Sequence, residues 1–155
     1  MARSDGAIRP VAQNRRARHE FHVLEALECG LVLKGTEVKS LRAGKCDIAE
    51  SHGRIKNGEL WLVGANIPEY SHGNIHNHEP ARERKLLASR RQIRSWDRRV
   101  REKGTTLVPL SLYFKGHLVK VELALVTGKK LHDKREDLKR REAKRDVDRA
   151  VGRRR

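Results

Sequence analysis

The sequence predicts a mainly β protein: a closed antiparallel barrel of the oligonucleotide-binding type, with about six strands, accessory helices and a basic C-terminal tail. Three observations lead there. Alternating apolar runs recur along the chain, most cleanly in the stretch 117–126, where Val119, Val121, Leu123 and Leu125 point one way and Lys120 and Glu122 the other. The dipeptide Asn57-Gly58 lies between two such runs and is a strong hairpin signal. The 155 residues are 37% apolar and 36% charged, enough for one small core. A sheet closed on itself buries such a core and removes exposed strand edges.

Residues 1–14 hold Gly, Pro, Ser and Asn with little apolar content, and are expected to be a disordered arm. Asn14-Arg15-Arg16-Ala17-Arg18-His19 then forms a basic approach to the barrel domain, 15–128. Phe21, Val23, Leu31, Val32 and Leu33 mark strand material broken near Cys29-Gly30. The segment 35–44 reads as a short helix capped by Thr36, with Val38 and Leu41 buried at i, i+3 and Gly44 as its stop. Strands near 46–56 and 59–66 flank the Asn57-Gly58 turn, and 68–81 is a loop. A helix is expected over 82–103. At about 100° per residue, Leu86, Ser89, Ile93, Trp96 and Val100 form a core-facing stripe. Arg84, Arg90, Arg91, Arg94, Arg98 and Arg101 lie opposite, and Leu87 falls among them. A leucine so framed can pack on a base or ribose while guanidiniums take phosphates. Strands at 106–114 and 117–126 follow, the second placing Lys120 outward. The tail, 129–155, favours helix through pairs such as Glu136–Arg140, but Leu138, Ala143, Val147 and Val151 form no stripe wide enough to bury. It is expected to be disordered when free and to fold on an anionic partner.

Net charge is +16. By segment it is about +4 over 1–19, −3 over 20–81, +7 over 82–103, +1 over 104–128 and +7 over 129–155. The positive charge is thus concentrated in an arm, one helix and a tail, around a nearly neutral core. A polyanion, and nucleic acid above all, is the partner such a distribution suits. Aromatic residues are only 4%, so recognition should lean on phosphates and folded RNA shape rather than on an aromatic stacking platform. No run of about eighteen apolar residues is present to span a membrane, and the start of the chain lacks the apolar stretch of a secretory signal. Cys29 and Cys46 stand in no metal-ligand spacing, which suits a reduced, cytoplasmic setting. His72, His76 and His78 lie close together without a carboxylate pattern and read as polar loop histidines rather than a metal site. His132 and Asp133 are adjacent, and neighbouring side chains rarely face each other as a catalytic dyad needs. With no phosphate-binding glycine loop and no nucleophile elbow, the expected protein is a binding module without cofactor or enzymatic activity. A ribosomal structural or assembly protein of the same barrel type, or a DNA-compacting protein, would share this composition.

Five blocks carry a family resemblance. Asn14-Arg15-Arg16-Ala17-Arg18-His19, Leu33-Lys34-Gly35-Thr36-Glu37-Val38-Lys39-Ser40-Leu41-Arg42, Arg84-Lys85-Leu86-Leu87, Leu110-Ser111-Leu112-Tyr113-Phe114-Lys115 and Gly128-Lys129-Lys130-Leu131-His132-Asp133-Lys134-Arg135 resemble the SsrA-binding protein (small protein B) family, in the family's order. The resemblance implies a six-stranded barrel of oligonucleotide-binding topology. It implies binding to the tRNA-like domain of tmRNA and delivery of that RNA to ribosomes stalled on messages without a stop codon, for trans-translation. Its partners would be tmRNA and the ribosome, at the small-subunit decoding centre and mRNA channel, with elongation factor Tu and alanyl-tRNA synthetase reached through the tmRNA complex. Carried over by motif, Glu28, Leu87 and Lys120 would contact tmRNA, joined by Arg84, Arg90, Arg91 and Arg94 from the arginine face. Gly128, Lys129, Lys130, His132, Asp133, Lys134 and Arg135 would engage the ribosome, His132 by stacking on a decoding-centre base. Two departures stand out. Ala88 replaces the family's third leucine, and the tail ends in Val151-Gly152-Arg153-Arg154-Arg155, leaving Val147 and Val151 as its apolar docking residues.

Overall fold

The computed structural model describes residues 7–72, 76–102, 104–129 and 131–152, and of 131–134 the backbone alone. Among the described residues, seven strands and four helices follow in the order β1 (Ile8–Gln13), α1 (Arg15–Glu20), β2 (Phe21–Leu31), α2 (Gly35–Arg42), β3 (His52–Lys56), β4 (Glu59–Val63), β5 (Arg84–Leu87), α3 (Arg90–Val100), β6 (Thr105–Lys115), β7 (Leu118–Gly128) and α4 (Leu131–Gly152). The fold is mainly β and antiparallel. Neighbouring strands run β6-β3-β4-β5-β2-β7, and β7 pairs again with β6, so six strands form a ring.

The ring is joined between β3 and β6 through the pair Gly53–Leu107. β3 therefore occupies only the first part of that β6 edge, and β1 pairs with the rest, from Ser111 to Lys115. This open edge is why residues 8–13 are a strand and not part of a disordered arm, as their composition suggested. The Arg9 guanidinium also lies 4.9 Å from the centroid of the buried Phe114 ring. Residues 1–6 of the expected arm lie outside the described residues.

Leu41, Ile48, Leu60, Leu62, Leu86, Ile93, Trp96, Leu107, Leu112, Val121, Leu123 and Leu125 belong to the central core. A second, smaller core lies outside the ring. Ala17 of α1 packs with Val108, Leu110, Ala124 and Val126, and Phe21 packs against them. β6 and β7 are thus covered on both faces over this stretch, which gives near-continuous apolar sequence instead of alternation. The sequence reading took 14–19 as an approach segment. It is a short helix whose one buried residue is Ala17.

Other expectations change in detail. β2 runs unbroken through Cys29-Gly30, because Gly30 pairs with both Lys120 and Leu87. The Asn57-Gly58 turn is as read, with φ of 52° and 74° at its two residues, the mirror-image turn that matches strand twist. α2 begins after Lys34 rather than on a Thr36 cap, and the Thr36 hydroxyl instead lies 2.9 Å from Nδ1 of buried His78. The expected helix over 82–103 is the largest correction. Its first part is strand β5, bonded to both β2 and β4, and the helix starts only at Arg90, where the Ser89 hydroxyl accepts from the Gln92 N–H.

Gly53 is fixed by close approach. A Cβ there would lie 2.8 Å from the Leu107 Cβ and 3.2 Å from a Leu123 methyl. Gly53→Ala should therefore destabilise the fold by about 1–3 kcal/mol. Gly35→Ala, where a Cβ meets nothing within 4 Å, should leave the melting temperature unchanged or raised. Thermal unfolding of the two variants checks the pair.

Candidate nucleic-acid interface

Strand register assembles the interface. On the outward side of the ring, Pro10 of β1 pairs with Tyr113 of β6, Tyr113 with Lys120 of β7, Lys120 with Gly30 of β2, and Gly30 with Leu87 of β5. One row thus crosses five strands. A second row runs beside it through Gln13, Ser111, Glu122 and Glu28. The residues between the rows, Leu112, Val121 and Cys29, point inward and are fully buried. α1 covers the sheet beyond the second row, where Ala17 packs with Val108, Leu110, Ala124 and Val126. Glu28, Leu87 and Lys120, separated widely in sequence, are therefore brought together on one face.

Leu87 is 52% exposed while Leu86 is 1% exposed. The orientation matches the sequence reading, but strand alternation produces it instead of helical azimuth. Beside Leu87 lies a groove of about 430 Å³, lined in part by Lys85, Ala88, Arg90, Arg94 and the Asn57-Gly58 turn. Arg90 and Arg94 are exposed there. Arg91 lines a different cleft with Glu25 and Trp96, away from Leu87.

Arg84 does not belong to this surface. It is fully buried on the inward side of β5, with Nε donating to Glu37 Oε2 at 2.5 Å, Nη1 to the Ala65 carbonyl at 2.8 Å and Nη2 to the Pro80 carbonyl at 2.9 Å. Glu37, also buried, accepts from Arg82 at 2.5 Å and from the Lys34 N–H at 2.7 Å. Burial pushes the Glu37 carboxyl up, but Arg82, the Lys34 N–H and Arg84 together outweigh it and hold the group below the ordinary carboxylate range. Arg84 is thus an internal cross-link between α2, β5 and the loop before it, and its assignment to RNA is withdrawn.

Glu28 is an acid on a basic face, and its neighbours explain how it stays there. The Tyr113 hydroxyl donates to Oε2 at 2.5 Å and Lys115 Nζ to Oε1 at 3.3 Å. The Tyr113 hydrogen bond, helped by Lys115 and Lys120, outweighs burial and lowers the carboxyl below its usual value. Burial and the Glu28 anion in turn push the Tyr113 phenol upward, so it remains a donor. Each Glu28 oxygen keeps acceptor capacity for a base or ribose donor. Tyr113 and Lys115 lie in one of the family-like blocks, yet no sequence signal marks them as partners of a residue on another strand. The two thiols are shielded: burial raises Cys29 to about 11 and Cys46 to about 12.

The tail differs from expectation. Residues 131–152, expected to be disordered in the free chain, form one helix. The segment is rich in good helix formers, and those favour helix even without a packed face. Leu138, Val147 and Val151 remain exposed on it. Gly128 closes β7 opposite Phe21. Lys129 was expected to face a partner. Its backbone N–H donates to the Glu20 carbonyl at 2.9 Å, and its ammonium donates to the Arg18 carbonyl at 3.0 Å and pairs with Asp137. With a side chain only 8% exposed, Lys129 joins α1 to α4 instead of offering a free cation. Arg135 is exposed. Lys130 lies outside the described residues, as do the side chains of His132, Asp133 and Lys134.

The fold and this face define a small β-ring module with an exposed apolar residue set among cations. Comparison with known proteins gives the family. The SmpB protein family matches residues 11–153. The SsrA-binding protein of Desulforudis audaxviator (strain MP104C) is 57% identical over 142 residues, 91% of this chain and 92% of that protein. That of Thermobifida fusca (strain YX) is 55% identical over 145 residues, 94% and 91% of the two chains. A solved structure described as "tmRNA-SmpB: a journey to the center of the bacterial ribosome" superposes with a TM-score of 0.66 at 49% identity, covering 79% of this chain and 86% of that one. The chain belongs to the SmpB protein family.

Proposed function

We propose that this protein binds the tRNA-like domain of tmRNA through the outward face of its strand ring and delivers it to stalled ribosomes for trans-translation. It acts as a binding adaptor in the cytoplasm and catalyses no reaction. The ring serves as a barrel of the oligonucleotide-binding type. The observation that carries the reading is the row Lys120–Gly30–Leu87, with Glu28 beside it. Three positions that the family resemblance picks out independently lie on adjacent strands of a single face. Leu87 supplies apolar contact to a base or sugar, Lys120, Arg90 and Arg94 take phosphates, and Glu28 accepts from base or ribose donors. Arg91 sits on a neighbouring cleft and contributes at most to long-range attraction. The basic helix α4, with His132, Asp133, Lys134 and Arg135 near its start, engages the decoding centre and the vacant mRNA channel. Elongation factor Tu and alanyl-tRNA synthetase act on the same complex through tmRNA. The names of the relatives, and the tmRNA and bacterial ribosome named for the solved neighbour, support this reading.

The test is binding of the full-length chain to a tmRNA transcript across a salt series. Leu87→Asp should weaken binding about 10- to 100-fold, as expected when one stacking or apolar base contact is lost, and should leave the melting temperature near that of the native chain. Ile93→Asp, placing a charge at a buried site, should unfold the domain. Native binding should show a log–log salt slope of several units, reduced by about one in Arg94→Ala. Equal thermal destabilisation by Leu87→Asp and Ile93→Asp, or a slope near zero, would refute the assignment.

A further inference from the structure

Cross-strand register sets an acid and a cation of the outward face within reach of each other. Glu28 of β2 stands opposite Glu122 of β7, and Lys120, two residues back along β7, stands opposite Gly30. Glu28 and Lys120 are therefore diagonal neighbours, about 7–8 Å apart at the backbone, a span that long side chains close. The Tyr113 hydrogen bond, then Lys115 and Lys120, lower the Glu28 carboxyl, so the Lys120 charge is felt there. Yet among the described residues no hydrogen bond or ion pair engages the Lys120 ammonium.

The Glu28 carboxylate is taken instead by two residues that reach it from β6, with β7 between them. The Tyr113 hydroxyl donates to Oε2 at 2.5 Å and the Lys115 ammonium to Oε1 at 3.3 Å. Tyr113 is 8% exposed, so packing fixes its ring, whereas the Glu28 side chain is 37% exposed and has room to turn. Glu122 is likewise occupied from β6, where the Ser111 hydroxyl donates to its Oε2 at 3.4 Å. Both acids of the second row thus have β6 donors, and the cation beside them is left open.

We infer that Tyr113 is a positioning residue for RNA binding: with Lys115 it clamps the Glu28 carboxylate and so keeps the Lys120 ammonium free for a phosphate. The clamp resolves a conflict of charge on one face. A Glu28–Lys120 pair would be weak, but it would have to break before Lys120 met a phosphate, and so would lower affinity by about three- to fivefold. Tyr113 prevents the pair without adding a charge. Burial and the Glu28 anion push the phenol upward, so it stays a donor.

The inference rests on the tmRNA reading, and the experiment separates their failures. Affinity of the full-length chain for a transcript of the tmRNA tRNA-like domain is measured across a salt series. The proteins are native, Tyr113→Phe, Lys120→Ala, Glu28→Gln, and the last two with Tyr113→Phe added. Tyr113→Phe keeps the ring and loses the donor. It should bind about three- to fivefold more weakly at low salt, and the deficit should fade as salt screens the released Glu28–Lys120 pair. In the Lys120→Ala and Glu28→Gln chains the same change should have no further effect, because one side of that pair is already gone. Thermal melts check folding at the binding temperature. Should Tyr113→Phe not fold, Lys115→Met opens the other side of the clamp at a half-buried position and should show the same dependence on Glu28 and Lys120. Native affinity in Tyr113→Phe, or an equal loss in the native and Lys120→Ala chains, overturns the clamp. If Lys120→Ala still weakens binding in that event, the main face stands without it. If Lys120→Ala changes neither the affinity nor the salt slope of the native chain, the assignment of Lys120 to a phosphate fails and the clamp falls with it.

Discussion

Arg84→Ala should destabilise the protein by about 3–5 kcal/mol, the loss expected when one partner of a buried ion pair is removed. In a chain of this size that lowers the melting temperature by about 10 °C or more. The size follows from what is left behind. Glu37 would keep its carboxylate at a buried site with Arg82 as its remaining guanidinium, and the Ala65 and Pro80 carbonyls would lose their donor. Arg90→Ala and Arg94→Ala, on exposed positions, should change stability by no more than about 0.5 kcal/mol. Their effect should instead appear in RNA affinity. These three arginines thus divide into one that holds the fold and two that we assign to RNA, and parallel thermal melts and binding curves read the division.

The same pair sets an acid limb. Glu37 has a carboxyl lowered in the folded state, so its contribution to stability is fully present above the ordinary glutamate value, about 4.3. It is lost as pH falls through the depressed folded value, because protonation then removes the anion facing Arg84 and Arg82. Acid unfolding of the native chain should therefore steepen below about pH 4. Glu37→Gln should be less stable at neutral pH and show a shallower fall there, and an unchanged acid profile would mean the pair is not coupled to folding.

The parts of this fold that were legible in the sequence are those governed by neighbours in the chain. Asn57-Gly58 marks its turn because both residues must take positive φ, and few other residues do so readily. The alternation of β7 marks its faces because side chains reverse at every residue. What the sequence concealed depends on distant contacts. Leu86, Ile93 and Trp96 fit one helical stripe, yet Leu86 reaches the core from a strand, and a four-residue strand before a helix gives too few positions to separate the two periods. The local sign was Ser89 three residues ahead of Gln92, an N-cap in the middle of the expected helix. Arg84 looked like its exposed neighbours, because its partner Glu37 is 47 residues away. Tyr113 and Glu28 meet across 85 residues, and the Asn14 amide is fixed by a carbonyl 95 residues away. Charge distribution located the basic segments correctly as segments. Which cations are free within them, as Lys129 shows, is decided by tertiary contacts.

Ending the chain after Lys129 should abolish peptide tagging on stalled ribosomes while leaving tmRNA affinity within about twofold of native, a shift of about 0.4 kcal/mol. The ring is complete at Gly128, and the Lys129 N–H to the Glu20 carbonyl is retained in the shortened chain. The helix it removes has Leu138, Val147 and Val151 exposed and, among the described residues, contributes none to either core, so removal should leave the melting temperature close to native. What is lost is the basic helix that we assign to the decoding centre and mRNA channel. His132→Ala in the full-length chain should reproduce part of the defect, lowering tagging more than tmRNA binding, because a local stacking contact is lost while phosphate contacts elsewhere remain. Lys129→Ala makes a third case. It keeps every residue of the helix but removes the ammonium that ties Arg18 to Asp137, so it should impair tagging only if the direction in which α4 leaves the ring matters. The measurements are paired: filter binding to tmRNA, and tagging in a reconstituted translation reaction on a message without a stop codon. Normal tagging by the shortened chain would reduce α4 to a solubilising appendage. Loss of tmRNA binding would place α4 in the RNA interface instead, beside α1.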